Sequence, residues 1–373
     1  MRLSLERKNT QYLERTSILQ QTAFWSELKE KQGLETRAFD IKIKSGDLFN
    51  SCAENDYYYD DFLILFQNIG NGFNIGYIPY GPTIEPHEEF QGQFLEELSE
   101  SLKPYLDKKC VMLRYDLLWE SPWAKDNSRF NGGDWIGPPE KQNQELRLNF
   151  STQNWNLKKA NTNILPKDTL FINLRYSEKD ILNQMKPKTR YNIKLSQRKG
   201  VRVRKAHMDD IAIWYELHKE TSKRNGIFLD HMEYFKNVLK TDATHTKSPA
   251  KVELLIAEFN NKPLAAMFLV YSGNRATYLY GASSSGNRNL MAPYLLQWDA
   301  INRARENGCT EYDMFGIAPN CDPSHPLYGL YRFKTGFGGN IFHRMGCWDY
   351  PLDNENYDLF QTIEMKSQGY HVN

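Results

Sequence analysis

The tightest constraint on this chain is that its landmarks come twice. Tyr80-Gly81 returns as Tyr280-Gly281, Cys110 as Cys309, and Tyr115-Asp116 as Tyr312-Asp313, at separations of 200, 199 and 197 residues. A near-constant offset across three landmarks points to one unit written twice. The surrounding pattern repeats as well. In the first copy a strand-like run, Phe62–Phe66, turns through Asn68–Gly72 into Phe73–Ile78. A turn at Pro79-Tyr-Gly-Pro82 follows, then a helix carrying Phe94, Leu95, Leu98 and Leu102, then a strand from Val111 that ends on Asp116. In the second copy Leu254–Phe259 turns at Asn260-Asn261 into Leu264–Tyr271. Tyr278–Gly281, a helix from Pro293 to Asn307 and a strand ending on Asp313 complete the order. The fold class is therefore α/β (α+β), built from two tandem copies. Residues 120–168, rich in Asn, Lys, Trp and Pro, read as a long crossover. We place a first domain at 1–150 and a second at 151–345, with the tail 346–373 returning to the first.

Composition removes several classes. With 40% hydrophobic and 25% charged residues among 373, the chain is too apolar for disorder. It has no run near the roughly 20 apolar residues of a membrane span. Its polar start, MRLSLERKNTQYLERTS, lacks a secretory signal pattern. Five scattered cysteines (Cys52, Cys110, Cys309, Cys321, Cys347) contain no CxxC, which argues against a disulfide framework or zinc site and for a cytoplasmic protein. The 47 basic and 46 acidic side chains nearly cancel, so any nucleic-acid contact must be a local patch.

One such patch stands out. Lys186–Lys205 holds nine basic residues and no acidic one. Tyr191, Lys194, Leu195 and Arg198 follow helical spacing, Gly200 stops the helix, and Val201 and Val203 alternate into a strand. The segment reads either as a surface for phosphates or as a solvated basic helix face. A second cluster, Leu327–Gly339, alternates aromatics like a strand, and its glycines would allow close approach of a ligand. Lys334 would leave that strand beside a groove, or it is ordinary surface decoration. No GxSxG, HExxH or P-loop is present. The eight histidines, including His218 and His231, lack metal spacing and read as surface or cap residues. Glu85, Asp116 and Asp313 at turn and strand ends are candidate bases or structural hydrogen-bond acceptors.

The second copy's strand, Gly/Ser loop and helix are similar to the GNAT acyltransferase unit. The stretch Asn287–Pro293, however, has Met291 where a pyrophosphate-binding loop needs Gly. A wider resemblance covers about residues 20–350. Gln21–Lys29, Gly76–Pro82, Lys188–Ile193, Tyr278–Ser283, Ala292–Tyr294 and Tyr331–Phe337 appear in the order found in the FemABX peptidoglycan bridge-forming aminoacyltransferases. The chain resembles their short members, because Thr241–Ala250 leaves no room for a coiled-coil arm.

That resemblance implies two GNAT-like domains and transfer of an amino acid from aminoacyl-tRNA to a side-chain amine of the peptidoglycan stem peptide. The acceptor would be UDP-MurNAc-pentapeptide or its lipid-linked form, the latter bringing peripheral membrane association without a transmembrane segment. Neither cofactor nor metal is implied. Lys334 and Phe333 match the Phe-Lys pair at the reaction centre. Glu85 stands where related short enzymes place Asp. Lys29 and Arg224 match positions for the acceptor's diphosphate, and Tyr77, Tyr80, Tyr278 and Tyr280 would line the acceptor groove. Lys188, Arg190, Lys194 and Arg198 would face the tRNA. The other readings are a GNAT acyl-CoA N-acyltransferase acting on another amine, and a non-catalytic protein that binds peptidoglycan precursors.

Overall fold

The computed structural model describes residues 3–49, 56–226 and 228–366; Cys52 and the last seven residues of the tail lie outside the described residues. The chain divides into two compact units, residues 1–14, 20–167 and 343–373 in one, residues 15–19 and 168–342 in the other.

In the first unit the strands Leu3–Lys8, Glu35–Lys44, Tyr57–Gly70, Phe73–Ile78, Cys110–Glu120 and the later part of Asn340–Pro351 lie side by side in that order. Among the described strands of this unit only the pairing of Phe73–Ile78 with Cys110–Glu120 is parallel, and helix Gln91–Leu102 makes the crossover between them. Its buried Phe94, Leu95, Leu98 and Leu102 meet Phe39, Phe62, Trp119 and Trp348 in one core. Helix Ala23–Lys31 starts because the Thr22 side chain accepts the Trp25 N–H at 3.2 Å.

The second unit repeats this plan. Strands Asp168–Asn173, Glu311–Gly316, Arg275–Ser283, Lys262–Ser272, Lys251–Phe259 and Arg202–Lys205 follow one another across the sheet. Again, among the described strands, a single pairing is parallel, Arg275–Ser283 with Glu311–Gly316, bridged by helix Ala292–Glu306. Asn260 and Asn261, at φ 48° and 60°, make the tight turn between Lys251–Phe259 and Lys262–Ser272. The two units are thus mixed α/β with the same strand order.

Several details differ from expectation. The division falls at Lys167/Asp168, beyond residue 150, because the crossover is tied back into the first unit. Asn149 exchanges side-chain hydrogen bonds with the Leu157 backbone at 2.8 and 3.0 Å, and the Leu165 N–H donates to Asp116 at 3.0 Å. The crossover also contains a helix, Lys141–Asn149. Leu327–Gly339 is not a strand: Tyr328–Lys334 is helical and Thr335–Phe337 a 3-10 turn. Its aromatics Tyr331 and Phe333 pack beside the second core, and Phe337 is buried within it. Asp116 lies inside its strand, which runs on to Glu120. His218 is neither surface nor cap; it is buried and stacked on Trp214 at 5.4 Å, and burial lowers its pKa. In the tail, Arg114 pairs with Asp349 and Glu364 at 2.7 and 2.5 Å. Helix Asn354–Lys366 places Tyr357 against Val111 and Met112. Among the described residues no helix is long and apolar enough to cross a membrane, and no group of three or more His, Cys, Asp or Glu is placed to hold a metal.

Candidate functional site

The chemistry-bearing residues of the second unit converge at the end of strand Glu311–Gly316. That strand leaves its ladder between Asp313 and Gly316. Phe315 adopts φ 60°, a left-handed backbone that a bulky residue reaches only when its surroundings impose it. The Asp313 carboxylate supplies one cause, accepting the Phe315 N–H at 2.8 Å and the Thr169 hydroxyl. The turn aims three successive carbonyls at one point.

Lys334 fills that point. Carried by the short helix Tyr328–Lys334, it is 3% exposed, and its ammonium donates to the carbonyls of Met314, Phe315 and Gly316 at 2.6, 3.2 and 2.6 Å. Three acceptors match the three donors of the charged amine. Burial pushes its pKa down to about 7, against the pull of Asp313. The Tyr278 ring lies 5.2 Å from the Lys334 nitrogen. Phe333, next on the helix, meets Tyr294 and Phe337 edge-on at 5.0 and 5.3 Å. The structure therefore joins Lys334 and Tyr278 in one cluster and sets Phe333 in the adjoining aromatic layer. Lys334 is neither surface decoration nor the exit of a strand.

Tyr278 and Tyr280 part company. A bulge opposite Phe268/Leu269 pairs Tyr280 with Phe268 and Tyr278 with Leu269, which puts the two tyrosines on opposite faces of the sheet. Tyr278 faces helix Ala292–Glu306, where Gln297 hydrogen-bonds its hydroxyl and burial raises its pKa to about 12. Gln297 also accepts the Tyr312 hydroxyl at 2.6 Å. Tyr280 joins Trp214, Phe235 and Phe268 on the other face, its hydroxyl hydrogen-bonded to that of Tyr234. Arg224, at the end of helix Ile211–Asn225, donates to the Ser283 carbonyl at 2.9 Å and the Ser285 hydroxyl at 3.0 Å. Its guanidinium is bound to the Ser283–Ser285 loop.

The basic segment forms helix Pro187–Arg198, and Gly200 at φ 87° ends it. Lys188, Lys194 and Arg198 are exposed, with Tyr191 between them 56% exposed. Arg190 is different. It turns inward to donate to the carbonyls of Leu182 and Met185, closing the end of helix Glu178–Gln184. Beyond the helix, Arg204 is paired with Asp210 and Glu258.

In the first unit, Lys29 lies 4.8 Å from the Trp25 ring and donates to Gln32 at 2.9 Å. Tyr77 and Tyr80 are buried, their hydroxyls donating to Asp116 at 3.0 Å and to the Pro166 carbonyl at 2.6 Å. Both are held by protein partners rather than standing open. Glu85 is exposed, and partial burial of its carboxyl raises its pKa against the opposing charge of Lys125. Asp116 and Asp313 are both buried acceptors of protein hydrogen bonds, which gives them the structural role of the two readings. The carbonyl cradle around Lys334, the Tyr278–Gln297–Tyr312 chain and the Tyr234 partner were not read from the sequence. Main-chain carbonyls carry no residue-type signal, although the repeated Tyr-Asp at a strand end marked the right place.

Comparison with known proteins bears on the family and the fold. The lipid II:glycine glycyltransferases of Staphylococcus epidermidis and Staphylococcus aureus are 22% identical over 262 and 263 residues, 54% of this chain. The matched part spans 62% of the length of those relatives, less than two thirds. The crystal structure of FemX superposes with a TM-score of 0.70 at 18% identity, covering 95% of this chain and all of that one, and so shares the fold. A sequence profile of the FemAB family matches residues 8–247 and 240–365, and the chain belongs to that family.

Proposed function

We propose that this chain is an aminoacyltransferase that moves an amino acid from aminoacyl-tRNA to the side-chain amine of a peptidoglycan stem peptide, building an interpeptide bridge. UDP-MurNAc-pentapeptide or its lipid-linked form is the acceptor, which places the work in the cytoplasm, at the membrane surface when the acceptor is a lipid. The observation that carries the reading is the Lys334 amine, buried and held by three carbonyls beside Tyr278. Family membership supports it, as do relatives named as lipid II:glycine glycyltransferases.

The donor ester is already activated, so the chain needs to position it, stabilise charge and hold an amine. An amine with a pKa near ~10 gives up its proton before attack. The carbonyl oxygen of the ester becomes an oxyanion, and a preorganised cation stabilises it most where water is excluded. Lys334 meets that need by exchanging its longest bond, 3.2 Å to the Phe315 carbonyl, for the oxyanion. Phe333 and Tyr294 form an adjoining apolar wall. The proton leaves to a carboxylate or phosphate of the substrates, since Asp116 and Asp313 are engaged within the protein. Within the second unit, Arg224 meets the acceptor's diphosphate, Tyr278 lines its groove beside Lys334, and the exposed Lys188, Lys194 and Arg198 meet the tRNA. An acyl-CoA donor fits less well. Met291 enters helix Ala292–Glu306 at φ 55°, and Pro293 in the first turn has no N–H to offer a pyrophosphate.

The test is incubation with UDP-MurNAc-pentapeptide or lipid II and a mixed charged-tRNA pool, with labelled acetyl-CoA as a parallel donor, followed by product mass. We expect an acceptor heavier by one or more amino-acid residues, from the tRNA donor alone. Lys334→Met should lower single-turnover transfer by about a hundredfold. Undiminished transfer would remove Lys334 from the reaction, and acetylation of an amine would replace the reading.

A further inference from the structure

The basic helix Pro187–Arg198 carries one outward residue that charge does not explain. No acidic residue occurs between Asp180 and Asp209. On the outer face Lys188, Lys194 and Arg198 make no hydrogen bond, ion pair or ring contact among the described residues. Tyr191 stands in the middle of them, 56% exposed and equally without a partner. Lys188 lies three residues before it and Lys194 three after, so the two cations flank the ring on the helix surface. Half-buried Leu195, four residues on, lies at its foot. A single exposed tyrosine is ordinary; its place here is not. The neighbouring Arg190 is turned inward onto the Leu182 and Met185 carbonyls, which leaves a phenol ring at the centre of the cationic row.

The row starts at the reaction lysine. The Lys186 N–H donates to the Gly336 carbonyl at 2.9 Å, and its ammonium to the Thr335 hydroxyl at 3.3 Å. A side chain on Gly336 would strike the Thr189 hydroxyl, so helix and turn are in close contact. Gly336 comes two residues after Lys334. Tyr191 follows Lys186 by five residues, roughly 8 Å of helical rise. A polymer seated with its reacting end at Lys334 and running along this helix meets Tyr191 within its first few units.

The chemistry of the row selects the form of that polymer. Cations without counter-charges suit phosphates. An aromatic ring between them suits the face of a base, and only an unpaired nucleotide offers one. In an A-form duplex the bases cover one another, and phosphates and sugar hydroxyls are what a protein meets. Lysines alone would serve there. Single strands are held by cations along the backbone together with rings on which bases stack.

We propose that this face holds the unpaired 3′ end of an RNA rather than its duplex, with Tyr191 stacked on a base and Lys188, Lys194 and Arg198 on the flanking phosphates. The proposal rests on aminoacyl-tRNA being the donor and says which part of it this helix reads.

The test is fluorescence anisotropy of the full chain with two uncharged RNA hairpins of identical stem, one blunt and one with a short unpaired 3′ end. We expect the unpaired end to raise wild-type affinity at least about tenfold. Tyr191→Ala should remove most of that gain and Tyr191→Trp should restore it. Because the ring is exposed and partnerless, Tyr191→Ala should leave the melting temperature, the salt slope and binding of the blunt hairpin unchanged. Lys194→Gln should instead lower the salt slope by about 0.7. Equal wild-type binding of the two hairpins overturns the proposal. So does a Tyr191→Ala variant that keeps the gain, or one that loses affinity for the blunt hairpin as well. Transfer from charged tRNA is measured on the same proteins. Transfer that persists while hairpin binding ignores Tyr191 removes this inference and leaves the reaction standing; binding of the unpaired end through Tyr191 without transfer does the reverse.

Discussion

The Asp313 carboxylate accepts the main-chain N–H of Phe315, two residues along, at 2.8 Å. That bond holds the backbone at φ 60° and turns three carbonyls toward Lys334. One acidic side chain therefore shapes the cradle without touching the lysine's nitrogen. Asp313→Ala removes the acceptor from a buried N–H and from the Thr169 hydroxyl. The expected cost is about 2–3 kcal/mol in urea unfolding, with a fall in transfer rate larger than the rise in acceptor KM. Unfolding and rates like the wild type would show that the turn holds itself.

Burial of Lys334 has a consequence in pH. Its pKa is about 7 in the folded chain against an ordinary 10.5 when unfolded. Between those values the unfolded chain binds more protons, so stability rises with pH across about 7 to 10.5 and is lost as pH falls toward 7. Lys334→Met has no such proton to exchange. Urea midpoints measured from pH 7.5 to 9.5 should climb more steeply in the wild type than in Lys334→Met. Parallel slopes would mean that the carbonyls keep the amine charged throughout.

The basic helix separates binding from structure. Lys188, Lys194 and Arg198 point to solvent, whereas Arg190 is bonded to the Leu182 and Met185 carbonyls. Reversing the first three to Glu should weaken charged-tRNA binding at least about tenfold at low salt and flatten its salt dependence, with melting unchanged. Arg190→Gln should instead cost about 1–2 kcal/mol of stability with little effect on tRNA affinity. Filter binding and thermal melts on both variants decide between a tRNA face and a solvated one.

Gly281 is tied to Tyr278 by space. A Cβ built on Gly281 would stand 1.6 Å from the Tyr278 hydroxyl and 2.3 Å from the ring carbon that bears it. Gly281→Ala must push the ring aside, at about 1–3 kcal/mol, and with it the aromatic face beside Lys334. In a Tyr278→Ala background the same substitution should cost almost nothing. A double-mutant cycle by urea unfolding reads the coupling, and additive effects would show that the strain lies elsewhere.

The sequence by itself determined the duplicated plan. The offset near 200, the Asn260-Asn261 turn and the apolar spacing of Phe94–Leu102 and Leu295–Ala304 are local signals, and local propensity and period decide such elements. It also marked Lys334, through the motif around it. Only the tertiary structure decided what that lysine touches. Leu327–Gly339 alternates like a strand, yet burial of Phe337 in the second core and the packing of Tyr331 and Phe333 beside it favour a helix there. A single bulged residue, Leu279, sends Tyr278 and Tyr280 to opposite faces although their spacing suggests one. The carbonyls that hold Lys334 belong to another element, the end of strand Glu311–Gly316, which packing alone brings to its helix. Such meetings are set by the packing of whole elements, for which a linear sequence carries no period.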